Sequence, residues 1–429
     1  MVIYMKQRTK LNVAVIGCGE FARSFVPLFL AHPDVACVRV CDLVAERANA
    51  YAERFGVDII PSFEDALNDP AVNAVALFTQ RHLHGPMAVQ ALLAGKHVYS
   101  AVPMASTPDE CKAIIDAVNT SHKIYMMGET CYYYPSAIYS REHYEKADFG
   151  KFVYGESQYY HDISEMYGDF QRSGGDQWQR AAGIPPMFYP THSISMIFSA
   201  IHQHALRVSC MGLRDDHEDN IYGEGKNDWD NPFSNETAIF QMSGGGVVRI
   251  NEFRRVGINK PSSYITCFYG DKGAYECSVT NHTFQRGASS GEAPYLEDVG
   301  GLVNTIRYNE EKDTMDKRTA PISVRYIEGF SKIQDRSRLP VDFRDPTEKP
   351  HYNSHPFLVD DFVRAVVSGK LPPNNAWDSA RYMIPGLIAH ESALRGGVLL
   401  DIPDFGDAPA DWEKLTYEVK DYYETSKHA

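Results

Sequence analysis

The stretch LNVAVIGCGEFARSFVPLFLAH, residues 11–32, decides the fold of the first part of the chain. It contains an apolar run typical of a β-strand, a glycine-containing turn, and an amphipathic pattern that predicts a helix. The turn reads G-x-G-x-x-A, the fingerprint of a dinucleotide-binding βαβ unit with Ala22 in the third place. Gly17 permits the tight turn, Gly19 lets a pyrophosphate approach bare backbone, and Ala22 lets the helix pack closely on its strand. Free amides and the positive end of the helix would then face the phosphates.

The next strand indicates which dinucleotide is bound. VACVRVCD ends in Asp42, where a carboxylate would accept hydrogen bonds from both ribose hydroxyls. Leu43 and Val44 follow it, so no arginine lies immediately after the strand to receive a 2'-phosphate. This pattern favours NAD over NADP as the cofactor.

Strands and helices alternate up to about residue 128, which predicts right-handed βαβ crossovers and a doubly wound parallel sheet. We therefore expect residues 1–128 to form a Rossmann domain. Ligands of open α/β sheets bind at the carboxyl ends of the strands, where residues 79–84 and 101–103 would lie.

The remaining residues, 129–429, predict an α+β domain with a large, mostly antiparallel sheet. SGGG and GDKG separate alternating runs, as hairpin turns do. Residues 279–345 are polar and lack a clear period, which favours a long ordered insertion or lid. The closing VLLDIPDF predicts either an added strand or a segment that crosses back over the first domain.

Composition narrows the class of partner. A chain of 429 residues predicts two domains. Its formal charge of -14 argues against nucleic-acid or anionic-membrane surfaces, and favours a small-molecule ligand. There is no run of 18 apolar residues and no apolar core of signal-peptide length, so we expect a cytoplasmic protein. The eight cysteines form no CxxC pair or zinc-ligand spacing, and HQH at 202–204 would not share a helix face, so no metal site is predicted.

The order of these motifs resembles the glucose-fructose oxidoreductase/inositol dehydrogenase/MocA (Gfo/Idh/MocA) family over nearly the whole chain. The matching segments are VAVIGCGEFA, HGPMAVQALLAGKHVYSAVPMAS, DFGKFVYGE, FYGDKGAYE and HESALRGGVLLDIPDF. The resemblance implies hydride transfer between a nicotinamide and a sugar or polyol. It also implies that the second sheet serves substrate binding and assembly into a homo-oligomer, a dimer or tetramer.

One departure from the family is informative. Many members carry Glu-Lys-Pro where this chain has Ala101-Val102-Pro103, so the usual lysine is absent. A narrower branch, the NAD-dependent glycosidases that include α-N-acetylgalactosaminidases, is similar in having Val-Pro there. That branch also has Tyr-x-His-Asp, Trp-Arg and Tyr-Pro-Thr-His segments. They resemble residues 159–162, 178–180 (with one extra residue) and 189–192 of this chain, but the substrate does not carry over.

Three side chains are candidates for acid-base chemistry. The resemblance implies that His192, in the first turn of a helix, faces the nicotinamide; an imidazole titrates near neutrality and can accept a hydroxyl proton. A capping or core histidine is the alternative interpretation. Tyr159 and His161 alternate along a strand and so share one face. Together they could donate to an alkoxide or take a proton from carbon, or they could belong to an aromatic sheet face.

The predicted cofactor contacts are Gly17, Gly19, Glu20, Phe21, Ala22, Asp42, Thr79, His82, His84, Val102, Pro103, Trp178, Arg180 and Tyr189. For Trp178 and Arg180 a surface role is an equal alternative, and His84 could instead cap the helix that begins near Gly85.

Three functions follow as hypotheses. The first is an NAD-dependent oxidoreductase acting on a ring carbon of a sugar, glycoside or sugar derivative, with C3 expected and His192 as the acid/base in place of lysine. The second is a glycosidase that oxidises C3, eliminates the C1 substituent, adds water and re-reduces the ketone. The third is a catalytically silent NAD-binding sensor or scaffold.

Overall fold

The structure, a computed structural model, describes residues 10–257, 263–278, 281–304, 306–308, 326–328, 331–344 and 350–417. Two large sheets organise it. The first has six parallel strands in the order β3-β2-β1-β4-β5-β6. Its strands are β1 Leu11–Ile16, β2 Val35–Cys41, β3 Asp58–Ile59, β4 Ala74–Leu77, β5 His97–Ser100 and β6 Tyr125–Met127. Its helices are α1 Val26–Ala31, α2 Ala45–Phe55, α3 Phe63–Asn68, α4 His84–Leu93 and α5 Pro108–Ser121. The predicted doubly wound sheet is confirmed.

The second sheet has nine strands in the order β14-β13-β12-β11-β7-β10-β9-β8-β17. Among the described strands of this sheet, β7 and β10 alone pair in parallel, so the prediction of a mostly antiparallel sheet is confirmed. Its strands are β7 Phe152–Tyr160, β8 Ala205–Arg214, β9 Phe233–Met242, β10 Val247–Phe253, β11 Ser263–Gly270, β12 Gly273–Cys277, β13 His282–Arg286, β14 Tyr295–Asp298 and β17 Leu400–Asp401. A separate two-stranded ladder joins β15 Ile306–Tyr308 to β16 Tyr326–Glu328.

One helix in the part of the chain after β6 is buried along its whole length. The helices of this part are α6 Pro135–Glu145, α7 Tyr167–Gly174, α8 Trp178–Ala182, α9 Thr191–Ile201, α10 Gly300–Val303, α11 Ser354–Ser368 and α12 Ala376–Leu394. Every residue of α9 is buried, and the helix packs on β7. Gly155 of β7 allows this approach, because a Cβ there would lie 2.9 Å from Ile197 Cδ1. His192 therefore lies on a helix that is buried against the second sheet.

Part of the predicted ordered insertion or lid belongs to the second sheet. Residues 282–298 of the 279–345 segment form β13 and β14, which extend the second sheet at its edge. Its polar side chains reflect an edge position with one exposed face, which obscures the alternation expected of a strand. Residues 279–280, 305, 309–325, 329–330 and 345 of that prediction lie outside the described residues.

The closing VLLDIPDF segment supplies an added strand, one of the two alternatives that its sequence allowed. Leu400 and Asp401 pair with β8 as an edge strand, and further on the Trp412 ring stacks with His122 at the end of α5. The helix α11 also returns to the first core, where Phe362 contacts Phe29 and Tyr99. The boundary expected at residue 128 stays a prediction.

Two further features concern the cysteines and the length of the apolar helices. All eight cysteines are free thiols. Among the residues that the structure describes, no helix combines the length and apolar character of a membrane span.

Candidate active site

The glycine turn has the shape that a dinucleotide requires. Gly17 has φ +96°, and a Cβ there would lie 2.6 Å from the carbonyl oxygen of Phe78, so only glycine fits. At Gly19 a Cβ would meet no atom within 4 Å, which leaves the backbone of the turn open. Ala22 is fully buried under the turn, while Glu20 is exposed and pairs with Arg23 at 3.0 Å. The residues present therefore fit a pyrophosphate at Gly19.

Asp42 lies beside this turn at the end of β2. Its Oδ2 accepts a hydrogen bond from the backbone N–H of Cys18 (2.7 Å), and its Oδ1 accepts one from that of Val44 (2.8 Å). The carboxylate is thus held in place next to the glycine turn. Each of its oxygens retains a second lone pair with which to accept from a ribose hydroxyl.

The helix after the turn differs from the expected one. A short 3-10 turn covers Ala22–Ser24, and α1 begins only at Val26. Pro27 explains the break, because its nitrogen has no proton with which to continue the helical hydrogen bonds. The phosphates would therefore depend on the amides of the turn itself, without a long helix dipole behind them.

The ends of β4 and β5 are linked by a buried histidine. His84 has one ring nitrogen 2.8 Å from the carbonyl oxygen of Pro103 and the other 3.1 Å from that of Thr79. Burial lowers the pKa of His84. The structure therefore gives His84 a scaffolding position, whereas it was predicted to contact the cofactor; His82, two residues earlier, is exposed.

A cavity of about 560 Å³ opens between the two parts of the chain. Phe21 and Val102 line it from the first domain, while Tyr159, His161, Tyr189 and His192 line it from the second. The structure thus brings together all three predicted catalytic side chains and three of the predicted cofactor residues. The Tyr189 hydroxyl donates to the carbonyl oxygen of Val102 (3.3 Å), which connects the two domains at the mouth of the parallel sheet.

His192 is paired with a carboxylate that the sequence analysis missed. Its Nδ1 lies 2.8 Å from Oε1 of Glu129, and both side chains are buried. Burial would raise the pKa of Glu129, but the positive charge that His192 carries when protonated, together with hydrogen bonds from His192 and the Cys131 amide, lowers it. The ionised carboxylate can only accept, so Nδ1 carries a proton and Nε2 is left as the basic nitrogen. The available signal was the position of Glu129, just after the last parallel strand.

Tyr159 lies in a network of polar aromatic groups. Its hydroxyl lies 2.5 Å from Nδ1 of His161, and its ring stacks on Tyr264 with centroids 4.7 Å apart. The guanidinium of Arg254 lies over the same ring, 4.5 Å from its centroid, and the His192 ring is 5.3 Å away in an edge-on arrangement. Burial raises the pKa of Tyr159, and the Arg254 charge partly offsets this.

Arg254 is itself held by a buried acid. Its Nη2 donates to Oε2 of Glu252 (2.6 Å), and the Ser193 hydroxyl donates to the other carboxylate oxygen. Burial raises the pKa of Glu252 to about 7 against the lowering effect of Arg254. Glu252, Arg254 and Ser193 come from β10, the residue after it and α9, so no local pattern in the sequence indicates their meeting.

A strained segment, residues 351–353, contributes to the cavity lining beside Tyr134 and Tyr264. His351, Tyr352 and Asn353 have φ of 48°, 52° and 63°, which is the left-handed region for three successive residues. His351 and Tyr352 line the cavity, and Nδ1 of His351 lies 3.2 Å from the hydroxyl of Tyr134. Burial and the nearby charge of His192 lower the pKa of His351 to about 4, so this imidazole is neutral at pH 7.

Trp178 and Arg180 do not join the residues that line the cavity. Trp178 packs on Tyr167 with ring centroids 5.1 Å apart, and Arg180 pairs with Asp228 at 2.6 Å. Both stabilise the segment behind the cavity wall. The position of Arg180 favours the surface alternative over contact with the cofactor.

Fold and site together define a class: a two-domain protein with a dinucleotide site at the mouth of a parallel sheet, facing acid-base side chains from a second sheet. Comparison with known proteins supports this class. Residues 11–129 match the family model GFO_IDH_MocA, described as an oxidoreductase family with an NAD-binding Rossmann fold. The first domain therefore has the NAD-binding fold of that oxidoreductase family, and the predicted resemblance and cofactor are confirmed.

Curated relatives point to the narrower branch. The chain is 29% identical over 209 residues to a glycosyl hydrolase family 109 protein of Saccharopolyspora erythraea, a match that covers 46% of this chain and 45% of that protein. The aligned stretch thus spans less than half of that relative. A glycosyl hydrolase family 109 protein of Streptomyces filamentosus is 24% identical over 433 residues, covering 95% of this chain and 80% of that one.

Solved structures share the whole architecture. A levoglucosan dehydrogenase in complex with NADH and L-sorbose superposes with a TM-score of 0.69 at 16% identity, covering 92% of this chain and all of that one. An inositol dehydrogenase homologue from Azotobacter vinelandii, in complex with NADH and myo-inositol, gives 0.67 at 13% identity over 92% and 98%. At these identities the likeness shows the fold.

Proposed function

We propose that the chain is an NAD-dependent enzyme that oxidises a ring carbon, C3, of a sugar or glycoside, with His192 as the acid/base. The observation that carries this proposal is the buried Glu129–His192 pair at the mouth of the NAD-binding sheet. NAD bound against the glycine turn would accept a hydride from the ring carbon.

His192 would take the proton of the reacting hydroxyl. Because Glu129 fixes the proton of His192 on Nδ1, the free Nε2 is the nitrogen available to the substrate, as in a histidine oriented by a buried carboxylate. Val102 offers no proton, and occupies the position of the family's usual lysine. The neutral His351 and the surrounding tyrosines would donate hydrogen bonds to the other hydroxyls of the sugar or accept hydrogen bonds from them.

The experiment is turnover of a sugar and glycoside panel with NAD, comparing the parent chain with His192→Ala. We expect the variant to keep NAD binding and to lose at least about 10²-fold in kcat, the range for removal of an acid-base group. Full turnover by the variant would remove His192 from the reaction. Stabilisation of the parent by NAD with no turnover on the panel would favour the sensor alternative.

The Tyr159–His161 pair supports a second candidate, a glycosidase that leaves NAD unchanged overall. A ketone at C3 acidifies the C2 proton, and Tyr159 could remove it while passing its own proton to His161, 2.5 Å away. The electron pair of the C2–H bond would form a C1=C2 double bond while the C1 substituent leaves with the electrons of its bond to C1. Water would later add its oxygen to C1, and a proton would return to C2. Release of nitrophenol from nitrophenyl glycosides without accumulation of NADH would favour this reaction over net oxidation.

A further inference from the structure

The cavity has one wall that the acid-base chemistry does not use. This apolar wall consists of side chains from residues 163–184 and from one tyrosine of the loop before β9. Its members are Ile163, Met166, Phe170, Ala182, Ile184 and Tyr222. Except for the Tyr222 hydroxyl, these six side chains offer no hydroxyl, amide or charged group to a ligand. Asp169 of the same segment also lines the cavity, but it is exposed and pairs with Arg172.

The apolar wall is a built surface with its own small core. Ile163, Ala182 and Tyr222 are buried together in one cluster, separate from the two main cores. Phe170 packs against that cluster and lines the cavity. Trp178 also packs against the cluster but does not line the cavity. The wall therefore has a defined shape.

The apolar wall lies next to the cofactor side of the cavity. The guanidinium of Arg81, just after β4, lies 5.6 Å from the ring centroid of Phe170 and 4.9 Å from that of Tyr189. Arg47 of α2 donates to the backbone carbonyl of Arg172, 2.7 Å away. A ligand that reaches the mouth of the parallel sheet would thus also contact this wall.

Tyr222 contributes the one polar atom of the apolar wall, its hydroxyl. Tyr222 is 2% exposed and lines the cavity, and its hydroxyl has no hydrogen-bond partner among the residues that the structure describes. A buried hydroxyl without a partner is costly, so it calls for a ligand atom or a water.

We infer that the apolar wall binds the leaving group of a glycoside, and that this group is apolar with one polar atom for Tyr222. The inference rests on the proposed oxidation of a glycoside at the polar side of the cavity. Sugar hydroxyls placed against these side chains would lose their hydrogen bonds to water without replacement. An aryl or alkyl group would instead gain from leaving water. The sugar ring then takes the polar side, near His192, and its C1 substituent takes the wall.

Binding of matched glycosides tests this inference without requiring turnover. The chain is loaded with NADH, so that oxidation cannot begin, and titrated calorimetrically with methyl and phenyl glycosides of glucose and galactose in both anomers. We expect the phenyl member of at least one pair to bind about tenfold more tightly, in line with the value of aromatic contacts. In the Phe170→Ala and Ile184→Ala variants, the ratio of the methyl to the phenyl glycoside dissociation constant should fall below about threefold. The affinity for the methyl glycoside should stay unchanged. Equal affinities within every pair, or no binding at all, would overturn the inference.

The Tyr222 contact has its own test and a matched control. Tyr222→Phe should weaken binding of at least one nitrophenyl glycoside by about threefold to tenfold and leave the phenyl glycoside unchanged, as expected for one neutral hydrogen bond. Tyr160→Phe removes a hydroxyl from the other face of β7 and should change neither affinity. Unchanged affinities of Tyr222→Phe for all nitrophenyl isomers would remove the hydroxyl from the inference. Thermal unfolding of each variant confirms that it folds.

Failure of this inference is distinguishable from failure of the proposed function. Tight phenyl glycoside binding without any turnover would retain the wall's role and contradict the enzyme assignment. Turnover of methyl and phenyl glycosides with equal KM, together with equal affinities, would retain the enzyme assignment and contradict the role of the apolar wall.

Discussion

Replacement of Glu129 by glutamine tests how His192 is made into a base. The substitution keeps the size of the side chain and its acceptor for the Cys131 amide (2.8 Å), but removes the charge that faces His192. A hydrogen bond to a charged group is worth about 1.5–3 kcal/mol and a neutral one about 0.5–1.5 kcal/mol, so the substitution removes about 1–1.5 kcal/mol. If that stabilisation is lost only in the transition state, kcat falls by about fivefold to 13-fold, because 1.36 kcal/mol is a factor of ten.

The assay is steady-state kinetics on the best glycoside of the panel, with NAD affinity measured by quenching of protein fluorescence. We expect kcat to fall within that range, while the dissociation constant of NAD stays within about threefold, since Glu129 lies behind His192. Glu145→Gln, an exposed position on α6, is the matched control and should behave as the parent. A Glu129→Gln variant with kcat within threefold of the parent would refute the orienting role of this carboxylate.

Four further predictions concern the turn, the ribose contact, the phenol and the buried acid. Gly17→Ala should cost about 1–3 kcal/mol of stability, because it forces a Cβ against the carbonyl of Phe78 at positive φ; denaturant unfolding measures this, and unchanged stability would contradict the turn geometry. Asp42→Asn should narrow any preference for NAD over NADP by about tenfold, measured as the ratio of dissociation constants, and an unaltered ratio would exclude the ribose contact. Tyr159→Phe should abolish nitrophenol release while oxidation of the glycoside continues, and equal loss of both would argue against a role confined to C2. Glu252 has a pKa raised from 4.5 to about 7 in the folded chain, so its contribution to stability is full below pH 4.5 and is lost as pH rises through 7. Relative to Glu252→Gln, the parent should lose about 2.5 kcal/mol of stability between pH 5 and 8, and parallel stability curves would contradict this.

The sequence predicted the features that depend on local pattern. The glycine turn, Asp42 and the alternation of strands and helices are each encoded within a few residues, and the structure has them where expected. His192 and Tyr159 were found through short motifs carried by a resemblance, and their meeting in one cavity is a result of the fold.

Other features depend on contacts between distant residues and have no local signal. Glu129 reaches His192 across 63 positions, and Glu252 reaches Ser193 across 59. The strands of residues 282–298 were missed because an edge strand carries polar side chains on much of its surface. For Trp178 and Arg180 the sequence left cofactor contact and a surface role as equal alternatives, and their packing on Tyr167 and Asp228 favours the second.

The most direct test is a crystal structure of the chain with NAD and an unreactive glycoside analogue. We expect the nicotinamide C4 at about 3–3.5 Å from the ring carbon that reacts, as near-attack geometry requires, and the hydroxyl of that carbon within hydrogen-bond distance of Nε2 of His192. A nicotinamide ring placed away from the cavity, or a sugar hydroxyl beyond the reach of His192, would contradict the proposed chemistry.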